Sequence, residues 1–451
     1  MIEKTRESAP RPRSPDLAEA DAVDAHLRVL YITVSMPFGP HEAFFVPEVK
    51  EMVRQGCELL IVPRSPSGGI VNRDAETLVP LSLPKPLLSA EILVSALGEM
   101  LRHPLRSLKG LSLLRQSRNL RTLLKNLAVF PKALWVAKMA RTWRAQHIHA
   151  QWALTTATMA LLASEITGIP WSCTIHRGDI ADDNLLAAKL RRASFARFIA
   201  QDGIASAESL CGRPLPGNVV LLHSCVDMPA KVAISEAISD PPVLICPGYL
   251  IERKGQQYLI EAIPILQAAG LAVRVWFAGE GEMRSALEAL VAARGLGAQV
   301  SFLGQVDHAR LTEMFRTRQV DAVVLPTLHE GIPAALIEPM GHGIPVISTD
   351  VGGVPELLHD GAGLMVPPRD PAALADAIRR LVGDATLRRQ LAETGRRRVE
   401  EGWAVTPVVA SLLSHLSATC AYGARPGPGE DLVRRSEPSG SGRASSEPSA
   451  N

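Results

Sequence analysis

PVLICPGYLIERKGQQYLIEAIPILQAAGLAVRVWFAGEG, residues 242–281, decides the fold. Its first run, PVLICPGYL, is apolar on successive positions and reads as a strand buried on both faces. GQQYLIEAIPILQAAG carries apolar residues at helical spacing and closes on a glycine. AVRVWFAGEG is again a strand and loop. The alternation continues through MRSALEALVAARGLG (helix, 283–297), VSFLGQV (strand, 300–306), HARLTEMFRTR (helix, 308–318), DAVVLPT (strand, 321–327), PAALIEPMGHG (helix, 333–343) and PVISTD (strand, 345–350). Strands alternating with helices predict a parallel sheet with crossover helices.

The same grammar runs toward the N-terminus. LRVLYITV (27–34) reads as a buried strand, Met36–Pro40 as a loop, FVPEVKEMVRQG (45–56) as a helix capped at Gly56, and CELLIVP (57–63) as a second strand. Together they make a βαβ unit. Strand-like runs return at HIHA, IPWSCTIH, RFIA and VVLLHS. The linker AISEAISDPP (233–242) separates this series from the next. The expectation is α/β, with two doubly wound domains facing a cleft: 26–235 and 241–405, and a helix at 406–420 packing back on the first domain. Tails at 1–25 and 421–451, rich in charge, Pro, Gly and Ser, are expected to be disordered. In open α/β sheets ligands bind beyond the carboxyl ends of the strands, so the loops after strands are where chemistry is sought.

Composition narrows the function. The 451 residues suit two or three domains. Forty-eight basic against 46 acidic side chains leave +2, which argues against a dedicated nucleic-acid binder. Aromatics at 4% argue against an aromatic-rich β-sandwich. Six cysteines without a C-x-x-C pair suggest reduced, mostly buried thiols of a cytosolic protein. The first residues lack an apolar core of signal-peptide length, and no run of about 18 apolar residues occurs. Residues 85–144 depart from this balance, with twelve Lys/Arg, two acids (Glu91, Glu99) and leucines at helical spacing. They read either as surface helices with long cationic stems or as a basic amphipathic face for anionic lipid headgroups or a lipid-diphosphate acceptor. Arg115, Arg118 and Arg121 stand for that face.

Three segments could carry chemistry. LPTLHEGIPAALIEPMGHGIP (325–345) holds Glu330 and Glu338, with Gly331, Ile332 and Pro333 between a strand and a helix. Proline is tolerated in a first helical turn, and the neighbouring N–H groups are then free for an anion. A carboxylate accepts two sugar hydroxyls at once, so two such acids could grip two polyols; alone they could equally be unrelated. PGYLIERKG (247–255) sets Arg253 and Lys254 after a strand, where two cations could neutralise a diphosphate or simply be solvated. FAGEGEMRSALE (277–288) has a Gly-x-Gly loop opening a helix, without the full dinucleotide fingerprint.

The order GYLIERKG, FAGEGEMR, VSFLGQV, then LPTLHEGIPAALIEPMGHGIPVISTDVGGVPELLHDGAGLMVPPRDPAALADAI resembles glycosyltransferase family 4, retaining enzymes of the GT-B fold, over roughly 243–403. YITVSMPFGPHEAFFVPEVKEMVRQGCEL and HIHAQWALTTATMALLASEITGIPWSCTIHRGDI are similar to its exopolysaccharide branch, including colanic-acid-type enzymes. The resemblance implies transfer of a sugar from a UDP-, GDP- or ADP-sugar to a glycan or lipid-diphosphate-linked hydroxyl, with no metal and no nucleic acid. It implies Glu338 on the ribose, Glu330 on the donor sugar, and Gly331–Pro333 against sugar and diphosphate. Lys254 with Arg253 would hold the diphosphate, and Gly248 and Gly279 would line the donor side. His176 would stand beside the anomeric centre. Gly39, Glu42 and Asp179 fall on the acceptor side. The expected place is cytoplasmic, peripheral on the inner membrane.

The chain departs from the pattern where many members carry Arg after the strand-ending glycine. Here Tyr249 follows Gly248, and Arg253 is the available substitute. The N-terminal loop has the single Gly39 where a double glycine is usual; Cys225 precedes Val226-Asp227 in place of glycine, and Thr327 stands for serine. A rival reading is an inactive relative acting as a binding partner in polysaccharide assembly, supported only by Tyr249. A dinucleotide-binding dehydrogenase would need a complete glycine fingerprint at 35–40, which is missing.

Overall fold

The structure, a computed structural model, describes residues 27–39, 42–70, 73–234 and 236–422. The expected N-terminal tail and residues 423–451 of the expected C-terminal tail lie outside the described residues.

The first lobe runs β1 (Arg28–Thr33), α1 (Val46–Arg54), β2 (Glu58–Pro63), α2 (Ala90–Arg102), α3 (Pro104–Leu114), α4 (Leu120–Thr142), β3 (His147–Gln151), α5 (Thr155–Thr167), β4 (Trp171–Ile175), α6 (Arg177–Asp182), α7 (Leu186–Arg192), β5 (Phe195–Phe198), α8 (Gln201–Cys211) and β6 (Val219–Leu221). The second runs β7 (Val243–Pro247), α9 (Gln256–Ala268), β8 (Arg274–Ala278), α10 (Arg284–Ala293), β9 (Val300–Gly304), α11 (His308–Arg316), β10 (Ala322–Leu325), α12 (Ala334–Gly341), β11 (Val346–Thr349), α13 (Val354–Leu358), β12 (Leu364–Val366), α14 (Pro371–Gly383) and α15 (Ala385–Gly402). α16 (Val405–Tyr422) ends the described chain, so the helix reaches into the segment expected to be a tail.

Each lobe is a six-stranded parallel sheet, ordered β2-β1-β3-β4-β5-β6 and β12-β11-β10-β7-β8-β9. In the first, strand order reverses between β1 and β3; in the second, between β7 and β10. These switch points leave a crevice at the strand ends, where side chains from successive loops converge. The uninterrupted apolar runs are explained by burial: β4, β7, β10 and β11 bury every residue.

α16 returns to the first lobe. Val409, Leu412 and Leu416 are buried in one cluster with Val46, Val49 and Met52 of α1. Thr419 Oγ1 bonds His147 Nδ1 of β3 at 2.8 Å. Two crossings of the chain meet on the way: Val226 N–H donates to Trp403 O at 2.9 Å, Val405 N–H donates to Val226 O at 3.1 Å, and His223 stacks on Trp403 with centroids 4.3 Å apart. The linker itself is pinned to the second lobe, through Ser239 N–H to Asp321 (3.0 Å) and Arg388 to Glu236 O (2.8 Å).

Residues 85–144 form α2, α3 and α4, stacked outside α5. One of their twelve cations is no surface stem. Lys132 is fully buried and donates to the carbonyls of Pro63, Arg64 and Lys85, tying α4 to the loop after β2. Three carbonyl acceptors compensate the ammonium for the water it loses.

Candidate active site

The second lobe's half of the crevice is built on its switch point. β7 ends at Pro247, and the chain turns through Gly248 and Tyr249 into Glu252–Lys254 before α9. Gly255, at φ +66°, ends that turn hard against β10's exit: a Cβ there would lie 2.1 Å from Pro326 O. Leu328 N–H and Thr327 Oγ1 donate to Arg253 O at 2.7 and 3.1 Å. This seam carries Lys254 across to Glu330, and the two form an ion pair with both side chains mostly buried. Arg253 is exposed and free of any ion pair among the described residues. Gly279, after β8, packs against Gly248 O, which a Cβ would approach to 2.0 Å.

Past Glu330 the chain runs Gly331–Ile332–Pro333 into α12, whose first bond is Leu336 N–H to Pro333 O. Pro333 is the N-cap of α12, one position ahead of the first turn. The N–H groups of Gly331 and Ile332 have no acceptor among the described residues. Glu338 is the fifth residue of α12, just over one turn along. Its Oε1 lies 3.0 Å from His308 Nε2 at the start of α11. That carboxylate holds the imidazole above the ordinary histidine range.

The first lobe supplies His176, which directly follows β4. The residue is 6% exposed, and its Nε2 is buried without a hydrogen-bond partner. Trp152 covers one face, with ring centroids 4.2 Å apart, and Phe45 meets it edge-on at 5.3 Å. Burial pushes its pKa down to about 3, so the ring is neutral. Asp179 Oδ2 accepts the backbone N–H groups of His176 (2.9 Å) and Ala153 (2.8 Å), fixing the β4 exit to the β3 exit. Burial raises this carboxyl to about 7, and its Oδ1 is unpartnered.

Glu42 does something the sequence did not indicate. Its carboxylate accepts the N–H groups of Val34 (3.0 Å), Ser35 (2.6 Å) and Met36 (2.8 Å), and the indole N–H of Trp152 (2.8 Å). It therefore fills the amide nest at the end of β1 and orients the ring that covers His176. Gly39, at φ +73°, is held to the neighbouring loop by its N–H to Gly69 O, 2.9 Å.

Two residues join the lobes. Arg177, adjacent to His176, donates to Glu330 O at 3.0 Å and pairs with Asp202. Glu356 of α13 accepts from Gln201 N–H at 2.8 Å and lies 3.6 Å from His223 Nε2. Lys254 and Glu330 are thus tied to the β4 exit that carries His176, with Gly248 beside Lys254 and Gly279 against Gly248, while Glu338 meets His308 of α11. Arg115, Arg118 and Arg121 do not join them; they are exposed around the α3–α4 turn. The basic residue following His176 was the one sequence signal for Arg177. Nothing in the local sequence marks Glu42 as a nest acceptor, because that depends on how loop and strand fold together.

Residues 227–398 match the family described as "Glycosyl transferases group 1". The chain is 35% identical over 157 residues to alpha-D-kanosaminyltransferase of Streptomyces kanamyceticus, covering 35% of this chain and 40% of that protein. It is 30% identical over 251 residues to the putative teichuronic acid biosynthesis glycosyltransferase TuaC of Bacillus subtilis, covering 52% and 60%. The matched regions span less than two thirds of these relatives' own length. The crystal structure of Anabaena Alr3699/HepE in complex with UDP superposes with a TM-score of 0.63 at 18% identity, covering 87% of this chain and all of that one. At that identity the likeness is one of fold: the two-lobed GT-B architecture expected from the sequence is present.

Proposed function

We propose that this protein is a retaining glycosyltransferase, moving a sugar from a nucleoside-diphosphate sugar to the hydroxyl of a glycan or lipid-linked acceptor in cell-surface polysaccharide assembly. The observation that carries the reading is the Lys254–Glu330 pair at the second lobe's switch point, bound through Arg177 to the strand end that holds His176. The group 1 match over the same lobe supports it, as do relatives named for glycosyl transfer.

In this reading the diphosphate lies over Lys254, Arg253 and the free N–H groups of Gly331 and Ile332, which need no metal to balance its charge. Glu338 takes the ribose hydroxyls and Glu330 those of the donor sugar. The bond between the anomeric carbon and the phosphate oxygen breaks, its electron pair leaving with the diphosphate. The acceptor oxygen bonds to the same face of that carbon, and its proton passes to the departing phosphate oxygen. The neutral imidazole of His176 offers Nε2 to a sugar hydroxyl beside the reacting centre. Closing the lobes excludes water, which limits hydrolysis.

The test is to incubate the protein with UDP-, GDP- and ADP-sugars and an acceptor panel and to follow both nucleoside diphosphate release and the anomeric proton by NMR. Release coupled to a product of unchanged anomeric configuration supports the reading. Binding of donor without any transfer, as in the inactive-relative reading that Tyr249 suggested, would refute it.

A further inference from the structure

We propose that the outer layer formed by α2, α3 and the N-terminal half of α4 is a docking face for an anionic lipid bilayer. The inference is independent of the transfer chemistry above.

The apolar residues of α2 exceed what a helix that only packs on a core requires, because a second apolar face is left outside. Its inward face buries Ile92 and Ala96 with Ser95 and Glu99, while Leu93, Val94, Leu97 and Leu101 are 51, 71, 60 and 74% exposed. Those positions fall on one helical face. α3 continues the pattern with Leu105 and Leu108 at 81 and 62%, and α4 with Leu120 and Leu124 at 69 and 57%. Eleven of the twenty large apolar side chains left exposed among the described residues lie between Leu88 and Leu127. Isolated exposed leucines need no explanation; a concentration of this kind marks a surface made to be covered.

Charge selects what covers it. Both acids of the segment are already ion-paired. Glu99 is fully buried against Arg141 and 3.5 Å from Arg102, and Glu91 pairs with Lys85 at 2.6 Å and accepts from Trp135 Nε1. These contacts lay α2 alongside the C-terminal half of α4. Arg115, Arg118, Arg121 and Lys125 are exposed beside the leucines, and none of them forms an ion pair among the described residues. An apolar face rimmed by unpaired cations suits acyl chains beneath anionic headgroups. It does not suit a second copy of the chain, which would set like charges against each other.

The layer also ends usefully. Leu87 and Lys125 line a cavity of about 350 Å³ together with Arg64 and Thr155, at the strand ends of β2 and β3. Docking through the leucines would set its mouth at headgroup level.

The experiment is co-sedimentation of the full-length chain with vesicles of phosphatidylcholine alone and of phosphatidylcholine mixed with phosphatidylglycerol. The wild-type protein is expected to bind the anionic vesicles, to release with salt, and to bind the neutral ones poorly. Each cation near an anionic surface is worth roughly a factor of five, so R115Q/R118Q/R121Q is expected to weaken binding by about a hundredfold. L97S/L101S is expected to weaken it as well; both residues are exposed, and melting temperature verifies that the variants fold. Absence of binding by wild type, or equal binding by both variants, overturns the proposal. So does sedimentation velocity showing a dimer that L97S/L101S dissolves while the wild type ignores vesicles. Donor-induced thermal shifts on the same samples are expected to be unchanged; their failure would count against the transfer reading and leave the docking face standing.

Discussion

His176 and Glu338 are held in opposite ways. His176 is a neutral ring with a buried, unanswered Nε2; Glu338 is already answered, by His308. In the proposed reading, replacing His176 or Glu330 with alanine removes one contact to the reacting sugar, and turnover is expected to fall about tenfold or more with folding intact, read from steady-state kinetics beside melting temperature. The His308–Glu338 contact makes a pH prediction. The folded-state pKa of His308 is raised, so the charged pair is complete below the ordinary histidine range and is lost as pH rises through the raised value. In the proposed reading, donor ribose competes with that pair for Glu338. Donor affinity is therefore expected to increase between about pH 6 and 8, and titration calorimetry of H308A is expected to flatten the profile. A wild-type affinity that falls over this range would contradict the competition. Glu330 drew notice in the sequence because it stands after a strand and before Gly331–Pro333, and Glu338 because it follows on the next helix. The partner of Glu338 was not legible, since His308 is thirty positions away and meets it only through packing of α11 against α12.

Among elements, the strands were the most legible and the loops the least. LRVLYITV and DAVVLPT declare buried strands because their central runs, Val29–Ile32 and Ala322–Leu325, are apolar on successive positions and suit burial on both faces. The loop after β1 carries no such signature. Its geometry rests on Glu42 answering three amides and an indole at once. Glu42→Ala leaves those donors without an acceptor in a buried site. The expected loss is about 3 kcal/mol or more in urea denaturation, with Trp152 and hence His176 displaced. Glu42→Gln, which keeps one carbonyl acceptor, is expected to lose less. An unchanged midpoint for the alanine variant would show that the nest is dispensable. The basic helices show the other limit of sequence reading. Their charge count was plain, but Lys132, buried among three carbonyls, and Arg115, free in solvent, look alike in a list of cations.

For the whole molecule, the two lobes were legible in the restart of the strand–helix alternation after 233–242. The way the lobes are tied, through Arg177 to Glu330 O and Glu356 to Gln201, was not, because neither contact follows from local pattern. α16 closes the first lobe, and Leu412→Ala is expected to cost about 2–5 kcal/mol, read as a lower denaturation midpoint. Acid should unfold the protein early. His147 and His176 are pushed down to about 3, and His149 also lies well below the ordinary range, all through burial. The unfolded chain then binds more protons below about pH 6.5, so stability falls as pH drops from there toward 3. Asp179, raised to about 7, acts in the opposite sense and is outnumbered. A melting temperature that holds flat from pH 7 to about 4 would contradict this sum. The central claim, that the crevice clamps an activated sugar by its diphosphate, is tested most directly by the thermal shift produced by UDP-, GDP- and ADP-sugars on wild type and K254A. The account predicts that one of these donors raises the wild-type melting temperature and leaves K254A much less affected. No shift from any of them, or an equal shift in both proteins, would contradict it.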